Sequence, residues 1–166
     1  MNTGISGSRG TVSQQSKYIT FTLAQEEYAI PVLQAVEIVK LETLIPLPHS
    51  LEYVLGLMDI RGSVIPVIHL RKRLGISVDE EEKVLERAII IRAGEKRLAL
   101  AVEQVRHVHG FYPDDIDEGP TAMKSASNRF VAGVAKIEER FIIILNLDGL
   151  FTNEELRNLS VHDISA

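Results

Sequence analysis

Cysteine is absent from all 166 residues of the chain. That excludes a disulfide framework, a thiolate nucleophile and any thiolate metal site, and it is compatible with a reducing compartment. Tryptophan is missing as well, and only 5% of residues are aromatic, which weakens any case for recognition by base stacking. Positive charge is in short supply: 18 Lys plus Arg stand against 23 Asp plus Glu, a formal net charge of -5. Such a chain has no global attraction to phosphate backbones. Its apolar runs are far shorter than a membrane-spanning helix requires. The opening MNTGISGSRGTVSQQSK lacks the continuous apolar core of a secretory signal. A cytoplasmic location without direct membrane insertion is the expectation.

What is present is core material. Hydrophobic residues make up 45% of the chain, enough for one sizeable domain or two small, intimately packed lobes. Residues 1–16, rich in Ser, Gly, Gln and Thr, read as a flexible tail. From Tyr18 the texture changes to YITFTLAQEEYAIPV. The two-residue strand period sets Ile19, Phe21 and Leu23 on one face and Tyr18, Thr20 and Thr22 on the other. VLQAVEIVKL tips toward strand through its β-branched residues. VLGLMDIRG and SVIPVIHL supply two more strands, and LRKRLG reads as one helical turn stopped by Gly75. AIIIRAGEKRLALAV predicts a hairpin turning at Gly94. RHVHGFYPDDIDEGPTAMKSASN holds a short strand and then a polar loop. RFVAGVAKIEERFIIILNLDGLF offers two strands around a charged turn. In TNEELRNLS, Thr152 with Glu155 three residues later predicts a capped terminal helix.

The chain also repeats itself. YITFTLAQEEYAIPV is echoed by AIIIRAGEKRLALAV, and GLMDIRGSVIPVIHLRKRL by GVAKIEERFIIILNLDGLF. Gly56 meets Gly133, Ile60 meets Ile137 and Leu70 meets Leu147. Two similar β lobes sharing a hydrophobic interface are expected, since neither is large enough to be stable alone.

Residues that could carry chemistry do not assemble into a pattern. His107 and His109, two apart, share a strand face, but no compact third ligand accompanies them. They read as surface or turn-flanking histidines rather than a zinc site. The acidic runs DEEEKVLE and DDIDEG read as solvated connections, not acid–base pairs. Ser63 lacks a nucleophile elbow, and no glycine-rich stretch has a phosphate-binding signature. RKR at 71–73 reads as a solvated helix surface. No catalytic residue, metal ligand or cofactor is therefore expected. Arg61 stands out differently: it must find a carboxylate or carbonyls, or reach a surface. Paired with Asp59 it would staple the turn; exposed, its fork would bind a partner carboxylate.

The ordered combination of Tyr28-Ala-Ile-Pro-Val, Val36-Glu-Ile-Val, Pro46-Leu-Pro, Gly56-Leu-Met-Asp-Ile-Arg-Gly and Val64-Ile-Pro-Val-Ile resembles the CheW family of bacterial chemotaxis coupling proteins. With the second-lobe VAGVAKIEERFIIILNLDGL it covers residues 17–155, leaving 156–166 as the end of a helix and a tail. The resemblance implies an all-β fold of two small SH3-like five-stranded β-barrels packed together, with short helices. It implies a non-enzymatic adaptor without a cofactor, cytoplasmic and recruited to membrane-associated chemoreceptor arrays. The implied partners are the regulatory domain of a CheA-like histidine kinase and the cytoplasmic signalling tip of a chemoreceptor, with no nucleic acid. A homologous adaptor of a type IV pilus or other chemosensory-like pathway is the alternative. Matched to the family's motifs, Glu37 and Ile38 fall in its V-x-E-I-like segment, Gly56 on its preceding glycine, and Arg61 and Gly62 on its turn. These five are the expected protein-interaction residues. Asp59-Ile60 replaces the commoner Asn-Leu, and Glu138-Glu139 departs from Arg61-Gly62 in the second lobe.

Overall fold

A computed structural model describes residues 14–48, 50–76, 84–118 and 129–159. Most of the expected tail and acidic connection and part of the polar loop lie outside the described residues, as do His49 and His162. Among the described residues eleven strands form two sheets. They are β1 (Ser16–Leu23), β2 (Glu26–Pro31), β3 (Ala35–Lys40), β4 (Val54–Ile60), β5 (Ser63–His69), β6 (Arg87–Ala93), β7 (Lys96–Val102), β8 (Gln104–Phe111), β9 (Ile116–Asp117), β10 (Val131–Ile137) and β11 (Arg140–Leu145). Two short helices follow the strand pairs: α1 (Leu70–Leu74) and α2 (Asn153–Asn158). The fold is all-β, two small barrel-like sheets with few short helices.

The repeat read from sequence is visible in the pairing. The hairpin β4–β5 slips its register between Val54 and Gly56, and β10–β11 slips between Val131 and Gly133. Arg61 and Glu138, which correspond in the echo, both adopt positive φ. The repeats are nevertheless not the sheets. The first sheet runs β8-β1-β2-β11-β10-β9 and the second β3-β6-β7-β5-β4. Each repeat therefore gives its leading hairpin, β1–β2 or β6–β7, to the sheet built by the other repeat. The hairpins are held there by parallel pairing of β2 with β11 and of β7 with β5. Antiparallel pairing of β1 with β8 and of β6 with β3 holds their other edge.

That exchange explains the unbroken apolar runs. Ile89 and Ile91 on β6, with Leu98, Leu100 and Val102 on β7, pack into a large core between the sheets; Ile19, Phe21, Leu23, Tyr28 and Ile30 meet them there. The alternate residues Ala88, Ile90, Ala99 and Ala101 face the interior of the second sheet with Met58, Ile65 and Val67. Ala29, Phe111, Ala135, Ile142 and Ile144 fill the first. A strand buried on both faces reads as continuous hydrophobicity instead of alternation. Alanine suits the inner face, where a small sheet curls tightly on itself.

Closure of the curl relies on glycine. In the second sheet the chain beyond β3 crosses to β4, where Ile45 and Leu57 exchange N–H···O bonds of 2.7 and 2.8 Å. Gly56 lies beside this bridge with φ +150°, and a Cβ there would stand 2.7 Å from the Ile45 carbonyl oxygen. In the first sheet β9 crosses to β10 in the same way. A Cβ on Gly133 would meet Ile116 and Asp117.

The segment 71–73 departs from the expected solvated surface. Arg71 and Glu103 are each 4% exposed and pair at 3.5 Å. Glu103 also accepts from the Ala24 N–H in the β1–β2 turn at 2.8 Å. The carboxylate thus ties α1 to the exchanged hairpin, satisfying charges that burial would otherwise penalise. Arg73 lies over the rings of Tyr53, Phe130 and Phe151 at 4.9–5.2 Å. It donates to the Leu150 carbonyl at 2.8 Å and to Glu155 at 3.0 Å. Only Lys72 is exposed. Thr152 and Glu155 form the expected capping box, and Glu155 gathers Arg73, Arg129 and the Tyr53 hydroxyl around it. α1 itself ends as expected, with Gly75 in the left-handed region at φ 75°.

Burial raises the Glu155 carboxyl pKa, but the Thr152 backbone N–H, Arg73 and the other hydrogen bonds together outweigh it. The group is held below the ordinary carboxylate range. Its contribution to stability is complete above that range and is lost as pH falls through its folded-state pKa. Denaturant unfolding across acid pH should therefore show Glu155→Gln with a shallower loss of stability than the parent. Coincident pH profiles would show the carboxylate to be energetically silent. Gly56→Ala should cost about 1–3 kcal/mol in the same assay, through the forced shift of Ile45.

Candidate functional site

Of the five residues singled out in the sequence, two meet directly. The Arg61 guanidinium donates to the Glu37 carboxylate, not to Asp59. Asp59 instead accepts the Gly62 N–H at 2.8 Å, which fixes the turn between β4 and β5. Arg61 reaches the left-handed region at φ 49° and Gly62 at φ 89°. The second position is open, with no heavy atom within 4 Å of where a Cβ would stand. Glycine is there for its backbone and not for lack of room.

The ion pair has a particular place in the topology. β3 and β4 are the two outer strands of the second sheet; Glu37 lies in the first half of β3 and Arg61 in the turn that follows β4. The pair therefore spans the seam where the sheet closes, at the open end of the barrel. Glu37 lies opposite Ile90 in the β3–β6 ladder, which sets it on the barrel-interior face. Beyond the register shift between Ala35 and Glu37 the ladder is regular, and strand alternation turns the next residue outward. Ile38 lies opposite Ile89 and belongs to the inter-sheet face, where it stays exposed. Gly56 contributes farther along β4, by letting the closing segment approach. The five positions are thus three devices: an ion pair with its turn, an exposed apolar side chain on the other face, and a closure glycine.

Exposure of the partners is unequal, with 73% of the Arg61 side chain open against 26% of Glu37. Glu37 anchors the guanidinium from below and leaves much of its fork available. Beside it runs an open cleft of about 410 Å³, lined in part by Lys40, Thr43, Ile45, Asp59 and Arg61. Ser63, the first residue of β5, accepts from Arg97 on β7 at 3.4 Å. The cleft sets cationic, hydroxyl and apolar groups beside the carboxylates of Glu42 and Asp59.

His107 and His109 are neighbours, their ring centroids 5.7 Å apart and edge-to-face. His109 continues the row to Phe111 at 6.0 Å. Among the described residues no group of three His, Cys, Asp or Glu is placed to hold a metal ion. No described helix is long and apolar enough to cross a membrane. Burial raises the phenol pKa of Tyr28 and Tyr53, with Glu26 and Glu155 adding to it respectively. Both rings pack against the inter-sheet core.

Two barrel-like sheets sharing one core, with a charged turn at the mouth of the second, define a two-lobed all-β protein. The family model for the CheW-like domain matches residues 17–155, and the chain belongs to the CheW-like family. It is 25% identical over 150 residues to the chemotaxis protein CheW of Treponema pallidum, spanning 89% of this chain and 88% of that protein. It is 29% identical over 138 residues to the Helicobacter pylori protein of the same name, spanning 83% and 82%. Among solved structures, the scaffolding protein TtCheW from Thermoanaerobacter tengcongensis superposes with a TM-score of 0.74 at 31% identity. That match covers 84% of this chain and 89% of that one. This is a family of scaffold and adaptor proteins, and the chain is not an enzyme.

Sequence reasoning missed the Glu37–Arg61 pairing, because nothing local links residues on opposite edges of a sheet. Both lie in one repeat, Glu37 within β3 and Arg61 in the turn after β4, which does not by itself bring them together. As an exposed ion pair it should add at most about 1 kcal/mol. Arg61→Ala and Glu37→Ala are each expected to leave the midpoint of thermal unfolding nearly unchanged. A large drop in either would make the pair a structural lock.

Proposed function

We propose that this chain is a chemotaxis coupling protein. It joins the cytoplasmic signalling tip of a chemoreceptor to the regulatory domain of a CheA-like histidine kinase. It does so in the cytoplasm, at membrane-associated receptor arrays, with no chemical step of its own. The single observation that carries this reading is the exposed Arg61 fork, held over Glu37 at the mouth of the second barrel. A guanidinium anchored from one side and open on the other presents directed donors to a partner carboxylate or carbonyl. It stands on sheets pinned by a shared core, and such a rigid body transmits position between partners. Family membership and relatives named as chemotaxis proteins support the same reading.

Ile38, on the other face of β3, serves as a second contact. An exposed apolar side chain adds little alone but contributes when a partner covers it. Signal transfer then requires that receptor and kinase contacts differ between signalling states, which makes the adaptor one link in a coupled equilibrium.

The test is binding of the purified chain to kinase regulatory-domain and receptor-tip fragments, with cross-linking to retain weak complexes, followed by a kinase assay. The expected result is binding to both fragments and receptor-dependent kinase activity that needs this chain. Arg61→Glu should weaken that binding and the coupled activity while unfolding at the parent temperature. Retained binding with an intact fold would remove Arg61 from the interface.

A further inference from the structure

We infer that the docking surface at the second barrel's mouth extends to Arg92 and Arg97, and that it takes a carboxylate-bearing protein surface. This rests on the reading of the Arg61 turn as a docking face and names the chemistry of what docks there. The strand order β3-β6-β7-β5-β4 sets one rim residue on each strand or its adjoining turn, in ring order: Glu37, Arg92, Arg97, Ser63 and Arg61. Arg92 and Arg97 extend the rows of Ala88 and Ile90 and of Ala99 and Ala101, which line the barrel interior. Strand alternation therefore points them to the same face, at its open end. Arg61 and Glu37 complete the circle.

The rim is electrostatically unfinished. Among these five residues three guanidinium groups meet one carboxylate, Glu37, and Arg61 engages it. Arg92 and Arg97 are exposed and directly opposite each other in the ladder, an arrangement that costs stability. Among the described residues neither forms an ion pair, and Arg97 has only the Ser63 hydroxyl. Asp59 alternates with the interior residues Met58 and Ile60 and so faces away from them, with its Oδ1 accepting the Gly62 N–H. The matching rim of the first barrel carries Thr22, Glu27, Arg140 and Glu138 where this one has Arg92, Arg97, Ser63 and Arg61. There Arg140 and Glu27 pair at 2.9 Å. Among the described residues of the two rims, Thr22 stands opposite Glu27 in the first and Arg92 opposite Arg97 in the second, so the second mouth holds the like-charge pair that an incoming carboxylate would relieve. The chain's negative total and its scarcity of aromatics favour an acidic protein surface over a nucleic acid as the occupant.

The experiment compares the full-length parent, Arg92→Glu and Arg92→Glu/Arg97→Glu for binding to the kinase and receptor fragments at low and high sodium chloride. The double reversal should weaken binding at least about tenfold, and the parent's affinity alone should fall steeply with salt. Arg92→Glu replaces a like-charge pair with an opposite one, so its thermal midpoint should equal or exceed the parent's while its binding weakens. Parent binding that the double variant retains, or that ignores salt, overturns this inference and leaves the coupling function standing. A parent that binds neither fragment overturns both. Loss in the double variant of self-association, by sedimentation, or of binding to a single-stranded oligonucleotide, with fragment binding intact, assigns the rim to a different occupant and overturns it.

Discussion

Burial of two hairpins on both of their faces is the constraint from which the rest of the molecule follows. β1–β2 and β6–β7 each present one face to the core between the sheets and the other to a barrel interior. A side chain such as Ile89 or Leu100, removed wholly from water, contributes about 1.5–3 kcal/mol. The hairpins collect that term on alternating residues throughout. Because each is enclosed by strands of the other repeat, the inner faces and the shared core form together. Polar groups at the junctions must then be satisfied internally. Arg71, Glu103 and the Ala24 N–H do this at one junction, and Arg73 with its aromatic ring set and Glu155 at another.

A sheet curled this tightly has to close its seam, and it closes it twice with the same device. A short segment crosses between the outer strands, and a glycine makes room for it. Where the seam reaches the open end of the second barrel, backbone pairing gives way to side chains, and Arg61 faces Glu37. The proposed docking surface is thus a by-product of closure. The fold positions a charged rim there, and the partner's chemistry decides its use.

Much of this was legible in the sequence, and the exceptions share a cause. Strand identity, the Gly75 stop and the Thr152–Glu155 cap are local: periodicity, backbone conformation and side-chain reach determine them within a few residues. The repeat was legible too, since Gly56 and Gly133 answer the same steric demand. What periodicity cannot supply is the partner. It says that Ile89 and Ile91 share a face, but not whether that face meets its own repeat or the other. The exchange of hairpins therefore went unseen. The same gap hid the burial of Arg71, whose counter-charge lies on the crossover from β7 to β8, and the pairing of Arg61 with a residue on the opposite seam strand. A basic triplet in a helical turn reads as solvated until the chain that covers it is in place. In the site, the turn chemistry of Asp59 and Gly62 could be anticipated, whereas the ring order of Glu37, Arg92, Arg97, Ser63 and Arg61 required the topology.

The hairpin exchange has a consequence for how the protein is made. On the ribosome, the hairpin Ser16–Pro31 emerges well before its parallel neighbour β11, which ends at Leu145. At 5–20 residues per second, translation leaves the hairpin's barrel-interior face waiting on the order of ten seconds for Ala135, Ile142 and Ile144 of the other repeat, while Val54, Ile68 and Leu70 of its own repeat can reach only the inter-sheet face. Slowing elongation across β8–β11 would lengthen that exposure instead of aiding stepwise assembly.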